Sequence, residues 1–181
     1  LRAMLIGKAS GRVLEVGVGT GLNLPFYDTT RVTSLEGIDL SDGMLSIAQT
    51  KRKAIPLNDK VRLSRMDVSA LDFPSRSFDT VVDTFSLCVF PDPQKALQEM
   101  CRVCAPDGRL LLLEHSAAEN PLVALYQDVT AAPITSMSKG CVWNQRLGPL
   151  LQNAGLEVRS QRSVLGGVLR VIEATPVASR V

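Results

Sequence analysis

An apolar tetrad that runs straight into three alternating glycines constrains this chain more than any other stretch: Val13-Leu14-Glu15-Val16, then Gly17-Val18-Gly19-Thr20-Gly21. The tetrad reads as a buried strand and the glycines as the turn that ends it. Glycines there allow positive φ and let a ligand lie against the peptide plane, where a Cβ would block it. A dinucleotide-binding turn has its third glycine three positions after the second, so that a pyrophosphate sits on the next helix. Leu22 occupies that position here. The Gly-x-Gly-x-Gly spacing suits instead a ligand without a pyrophosphate and with a carboxylate tail. The plainer reading, a tight turn between a strand and a helix, stands beside it.

The rest of the chain supplies a frame for that loop. Leu1, Met4 and Leu5 have the spacing of a short helix that would cover the first strand's edge. After the glycines, Leu22 to Tyr27 can start only a short helix, since Pro25 is tolerated in a first turn alone. Val32 to Leu40 reads as a second strand, and Ser41 as the N-cap of a helix with Met44, Leu45 and Ala48 on one face. Val61 to Met66 is a third strand and Phe78 to Phe85 a fourth. Pro91-Asp92-Pro93 introduces a helix with Ala96, Leu97, Met100 and Cys101 inward, and Pro106-Asp107-Gly108 turns the chain into Leu110 to Leu113, a fifth and central strand. Residues 117–140 form an irregular insertion with a short helix expected from Pro121 to Asp128. Asn144 can cap a further helix to Asn153, kinked or delayed by Pro149. Leu156 to Val164 and Val168 to Ala174, joined through Gly166-Gly167, make a closing hairpin. The expected fold is α/β, a doubly wound, mainly parallel seven-stranded sheet with a C-terminal antiparallel hairpin, in a single domain spanning residues 1–181.

Composition excludes several functions. With 181 residues, 45% hydrophobic and 21% charged, the chain can bury a full core. A net charge of +2, no long basic run and no aromatic cluster for stacking bases give no strong nucleic-acid signal. The four cysteines fit a reducing compartment. Cys101-x-x-Cys104 lies in a helical pattern without a second pair at zinc-ligand spacing, so it is read as core and no metal site is expected. No run of about 18 apolar residues spans a bilayer. The first residue is not methionine, and an upstream presequence or anchor is compatible with that start.

In an open α/β sheet, a ligand lies over the carboxyl ends of the strands where strand order reverses. Glu15 and the glycine loop end the first strand, Asp39 the second, Asp67 the third, Thr84 the fourth, and Glu114 with His115 the fifth. A carboxylate about 20 residues past the loop accepts from both hydroxyls of a ribose, which fits Asp39. Asp67 can accept from an adenine amino group, and Met44 can pack on the base. Each has a duller reading alone: N-cap neighbour, strand stop, core filler. Together they surround one crevice.

The motifs VLEVGVGTG, GIDLSDGML, MDVSALDFPSRSFDTVV and ALQEMCRVCAPDGRLLLLEH resemble the successive motifs of class I S-adenosylmethionine-dependent methyltransferases over Gly11 to Ser116. The segment GCVWNQRLGPLLQNAGLEV and the Leu113-Glu114-His115 ending further resemble methyltransferase-like 7 proteins and the mitochondrial inner-membrane methyltransferase-like group. The resemblance implies S-adenosylmethionine as cofactor, with Gly17, Gly19 and Gly21 under its methionine moiety and Glu15 in the network around its amino group. It implies Asp39 on the ribose, Leu40 and Met44 beside the adenine, Asp67 and Val68 at its edge, and Thr84 on the methionine side. It further implies a small lipophilic acceptor, whether thiol, amine lipid or quinone-like molecule, a mitochondrial rather than cytoplasmic location, and peripheral membrane contact. Residues 117–140 would be the acceptor-side element. Two departures stand out: Asp107 replaces the usual turn glycine, and the last hairpin, LGGVLRVIEA, lacks aromatic residues.

Methyl transfer to an amine or thiol needs at most help in losing a proton. His115, the sole histidine, is the candidate base; a hydrogen-bonded structural histidine at a strand end is the competing reading. Glu114 and His115 are neighbours on a strand and point to opposite faces, so one does not orient the other. Cys141 and Trp143 either face the acceptor or pack in the core. Three functions follow: a methyltransferase; a methyltransferase-like structural or assembly subunit of a mitochondrial complex, with a protein partner; and a nicotinamide dehydrogenase, which Leu22 disfavours.

Overall fold

Alternation along one strand sorts the whole core. In β5, Cys104–His115, Leu110 and Leu112 belong to one apolar cluster while Leu111 and Leu113 belong to the other. Successive side chains on a strand point to opposite faces, so both faces of this sheet are buried. The computed structural model describes residues 1–138 and 140–177. Its other strands are β1, Gly11–Val16; β2, Val32–Asp39; β3, Val61–Arg65; β4, Phe78–Thr84; β6, Leu156–Val164; and β7, Leu169–Pro176. They form a single seven-stranded sheet in the order β3-β2-β1-β4-β5-β7-β6, parallel up to β5 and antiparallel at β7 and β6. The expected sheet and closing hairpin are both present.

The helices are α1, Arg2–Ile6; α2, Asp42–Arg52; α3, Pro93–Val103; α4, Pro121–Met137; and α5, Leu147–Asn153. Ala96, Leu97 and Met100 of α3 and Leu147 and Leu151 of α5 close one face over Leu14, Val81 and Leu110. Leu5 and Ile6 of α1, with Leu24 and Tyr27, close the other over Val13, Val82 and Leu111. The first helix therefore caps a sheet face and not the edge of β1, which has β2 and β4 as neighbours. Strand order reverses between β1 and β4, which lie side by side while the chain leaves β1 for β2. The crevice at that switch point is where a doubly wound sheet binds its ligand.

Four local expectations change. The segment after the glycines forms only a 3-10 turn, Leu24–Phe26, with Pro25 inside it. Strand β5 starts earlier than expected: Cys104 already pairs with Phe78, and Pro106-Asp107-Gly108 forms a bulge before Arg109 meets Thr80. Such extra residues bend a strand without ending it. The helix expected to stop at Asp128 runs to Met137 through Pro133. Proline removes one backbone donor, and hydroxyls add local bonds on either side, Thr130 Oγ1 donating to Tyr126 O at 2.6 Å and Ser136 Oγ to Pro133 O at 2.8 Å. Helix α5 begins at Leu147, delayed by Pro149 as its third residue, so Arg146 holds the cap position. Asn144 instead donates from Nδ2 to Asp128 Oδ1 of α4 at 2.8 Å.

Candidate active site

A cleft of about 620 Å³ opens over the carboxyl ends of β1, β2 and β4. Gly17, Gly19, Asp39, Leu40, Met44, Asp67, Val68 and Thr84 line it; Glu15, Gly21 and His115 do not. The three glycines of the loop differ: at Gly17, with φ +59°, a Cβ would press on the Ser86 side chain. Gly19 has φ +54°, and a Cβ there would meet only Gly17 O, at 3.8 Å. Its bare backbone thus faces open cleft. Gly21 serves packing: a Cβ would press on Leu24 Cδ1 at 2.8 Å and on Ala48 of α2 at 3.3 Å. It seats the turn on the helix and stays behind the wall.

Asp39 accepts from Gly19 N through Oδ2 and from Ser41 N through Oδ1, both at 2.9 Å. An ionised carboxylate has about four acceptor positions, so two stay available, already aimed by two main-chain amides. Ser41 caps α2, accepting from Met44 N at 3.3 Å, which fixes Met44 on the same wall. Leu40 is 54% exposed although apolar, and Val68 is buried opposite. Asp67 holds Ser69 N and Oγ through Oδ1 at 2.8 and 2.6 Å. Those hydrogen bonds from Ser69 hold its carboxyl below the usual aspartate range. The carboxylate is exposed at the cleft edge.

Behind the loop lies a buried polar chain. Glu15 is 2% exposed; its Oε1 accepts from Asn23 Nδ2 at 2.8 Å and its Oε2 from Tyr27 OH at 2.7 Å. Burial pushes its carboxyl up to about 7 in spite of those bonds and of the nearby Arg2 charge. Asn23 Nδ2 also reaches Thr84 Oγ1 at 3.0 Å. Arg2 donates from Nη1 to Asn23 Oδ1 at 2.6 Å and to Thr84 Oγ1 at 2.7 Å, lies 5.4 Å over the Phe85 ring, and lines the cleft. Glu15 thus acts through Asn23 and Thr84, one layer back. Arg2 was not singled out in the sequence, because nothing in a short N-terminal helix marks a residue that returns to a strand end 82 positions later.

Beyond Thr84 the wall turns apolar, with Phe85, Val89 and Phe90. Phe85 has φ +60°, a conformation rare for a bulky residue, held by Phe85 N donating to Leu113 O at 2.9 Å. His115 stacks behind Phe85 with ring centroids 5.1 Å apart and turns Nδ1 toward Cys88 and Cys141. It is half-buried, and desolvation lowers its pKa. Strands β4 and β5 also bury Asp83 and Glu114. Glu114 Oε1 accepts from Ser86 N at 3.0 Å, while Glu114 Oε2 and both Asp83 oxygens have no hydrogen-bond partner among the described residues. Burial raises both, Asp83 to about 7 and Glu114 well above its ordinary value, and the Asp83 charge raises Glu114 further.

The wall thus presents the carboxylate of Asp39, apolar side chains at Leu40, Met44 and Val68, the exposed carboxylate of Asp67 and the guanidinium of Arg2. A doubly wound sheet with a crevice at its switch point is an architecture shared by many enzymes that bind nucleotide and nucleoside cofactors. The chain belongs to the methyltransferase-domain family, whose profile matches residues 14–112, and its cofactor is S-adenosylmethionine. It is 42% identical over 121 residues to phosphatidylethanolamine N-methyltransferase of Cereibacter sphaeroides, covering 66% of this chain and 59% of that one. It is 33% identical over 181 residues to the mitochondrial methyltransferase OMS1 of Saccharomyces cerevisiae, covering 91% of this chain and 38% of that one. The chain thus spans between about two fifths and three fifths of these relatives' length. The YcgJ protein of Bacillus subtilis has the same fold, with a TM-score of 0.78 at 19% identity over 98% of this chain and 99% of that one.

Proposed function

We propose that the chain is an S-adenosylmethionine-dependent methyltransferase for a lipophilic acceptor, with residues 1–181 as one domain and 117–140 as its acceptor-side element. The observation that carries this reading is the Asp39 carboxylate, preset by Gly19 N and Ser41 N beside the exposed apolar face of Leu40. S-adenosylmethionine supplies a methyl group on a sulfonium centre whose positive charge is lost as the methyl leaves. The chain's own contribution is to bind and orient. Asp39 holds the ribose hydroxyls, Leu40, Met44 and Val68 flank the base, and Asp67 accepts from its amino edge. Gly17 and Gly19 admit the methionine portion, Thr84 lines it, and Arg2 pairs with its carboxylate. Glu15 fixes Asn23 and Tyr27 behind them.

Phe85, Val89 and Phe90 form the water-poor side, where an acceptor approaches. Positioning and exclusion of water carry most of the rate for a displacement of this kind. We give His115 no proton-transfer step: it stands behind Phe85, and its Nδ1 faces two thiols. A lipophilic acceptor is supported by α4, whose Leu122, Leu125, Tyr126 and Val129 are exposed by 59 to 77%. No helix among the described residues is long and apolar enough to cross a membrane. That exposed face suits contact with a lipid surface and an amine lipid or thiol drawn from it. The mitochondrial relative that covers most of this chain supports a mitochondrial location.

Calorimetric titration with S-adenosylmethionine and, separately, with NAD tests the cofactor; labelled methyl transfer to alkyl thiols and to phosphatidylethanolamine vesicles tests the acceptor. Saturable binding of the first cofactor only, with transfer to one of these acceptors, is expected. Binding without transfer to any lipophilic acceptor would point to an assembly role and defeat the enzymatic reading.

A further inference from the structure

Outside the cofactor cleft, Cys88, His115 and Cys141 bring two sulfurs and a ring nitrogen within 4.8 Å of one another. They come from three separate places: the turn after β4, the end of β5 and the segment after α4. Cys88 Sγ lies 3.8 Å and Cys141 Sγ 3.9 Å from His115 Nδ1, and the sulfurs are 2.9 Å apart. Hydrogen bonds tie these segments together, Phe85 N donating to Leu113 O at 2.9 Å between the turn after β4 and the end of β5. Val142 N donates to Cys88 O at 2.7 Å, and Thr135 Oγ1 of α4 donates to Cys141 O at 3.1 Å. The Phe85 ring backs the imidazole. The other cysteine pair differs: Cys101 Sγ faces Gly155 O at 3.7 Å, and among the described residues no third ligand joins Cys101 and Cys104.

We propose that Cys88, Cys141 and His115 Nδ1 form a zinc site with a fourth position left for water. Metal–sulfur bonds of about 2.3 Å and metal–nitrogen bonds of about 2.0 Å place tetrahedral ligand atoms about 3.5–3.8 Å apart. The sulfur–nitrogen distances of 3.8 and 3.9 Å exceed the roughly 3.5 Å of that geometry by about 0.4 Å at most, and the sulfurs need to separate by about 0.9 Å, shifts on the scale of small side-chain rotations. Two sulfurs and an imidazole disfavour calcium and magnesium, which take oxygen ligands. On binding, each thiol releases its proton to solvent and both thiolates bond to the ion. Their two negative charges cancel the two positive ones, so the buried centre is neutral overall. The ion would tie the segment after α4 to the end of β5 and the turn that carries Phe85.

The test is metal content of the whole chain, isolated under reducing, chelator-free conditions, together with cobalt titration of the metal-stripped chain. About one zinc per chain is expected, and one equivalent of cobalt should give a thiolate charge-transfer band with tetrahedral d–d bands. Cys88→Ser and Cys141→Ser should each abolish stoichiometric binding and His115→Asn should weaken it at least 10-fold, whereas Cys101→Ser should bind as the parent does. Should the serine variants fail to fold, the cobalt spectrum of the parent chain decides alone. A folded chain with four free thiols that takes up neither metal overturns the proposal. So does a spectrum without sulfur charge transfer, or a chain isolated with Cys88 and Cys141 joined as a disulfide.

Discussion

Arg2 and Asp39 line the same cleft, and their surroundings set different expectations for their loss. Asp39 presents two remaining acceptor positions, and hydrogen bonds to a charged group are each worth about 1.5–3 kcal/mol. Asp39→Ala should therefore weaken S-adenosylmethionine binding by about 100-fold or more, with an unchanged circular dichroism spectrum; unchanged affinity would remove Asp39 from the site. Arg2 is tied to Asn23 and Thr84 from one side and leaves the rest of its fork toward the cleft. Arg2→Ala should weaken the same binding by about 10-fold or more while leaving affinity for adenosine, which has no carboxylate, within about twofold. Equal losses for both ligands would mean that Arg2 supports the strand end and does not meet the amino-acid tail. Arg2→Lys keeps the charge but not the fork, so an intermediate value is expected.

At the scale of elements, the parts of the sequence governed by period and punctuation were legible, and those governed by tertiary partners were not. The apolar runs of β1, β4 and β5, the glycine turn and the Ser41 cap could be read directly, since strand burial and capping are local in sequence. Strand ends pointed to Gly17, Gly19, Asp39, Asp67 and Thr84, which line one crevice, and equally to Glu15, Gly21 and His115, which do not; Met44 came from its helix face, and Leu40 and Val68 from the family resemblance. Helix α4 was underestimated because its apolar residues lack a single inward stripe and Pro133 reads as a breaker. What anchors it is Gln127, wholly buried, accepting from Ala118 N at 2.7 Å and donating to Ser116 O at 3.0 Å and Trp143 O at 3.2 Å. A glutamine in an apolar stretch carries no sign of such a role. Nor do Cys88, His115 and Cys141, with spacings of 27 and 26 residues, suggest one cluster. If α4 rests on lipid, replacing Leu122, Leu125 and Val129 together by serine should cut sedimentation with vesicles about 10-fold and leave the thermal midpoint within about 2 °C, since those side chains are already exposed. A large loss of thermal stability would show instead that this face packs on protein.

Across the whole molecule, the buried carboxyls of Glu15, Asp83 and Glu114 make stability depend on pH in an unusual direction. Each has a folded-state pKa raised above its ordinary value by burial, to about 7 for Glu15 and Asp83. Between about pH 4 and pH 7 the folded chain therefore holds protons that the unfolded chain has released, and stability falls as pH rises. The slope reaches at most about 1.4 kcal/mol per pH unit for each group. In the metal-free chain His115, whose pKa is lowered by burial, acts the other way near its ordinary value of 6.5, so the parent profile is a difference of opposing terms. Comparing the parent with Asp83→Asn separates them. Asparagine is uncharged at every pH, and its removal of one member of the Asp83–Glu114 pair lowers the cost of ionising the other. The variant should match the parent within about 1 kcal/mol near pH 4.5, where Asp83 is protonated in the fold, and exceed it by about 2–4 kcal/mol at pH 8. Urea midpoints measured across that range check the sign as well as the size. A difference that does not change with pH would mean that Asp83 is not titrating within the sheet, and a difference that shrinks with rising pH would mean that it is stabilised as a carboxylate.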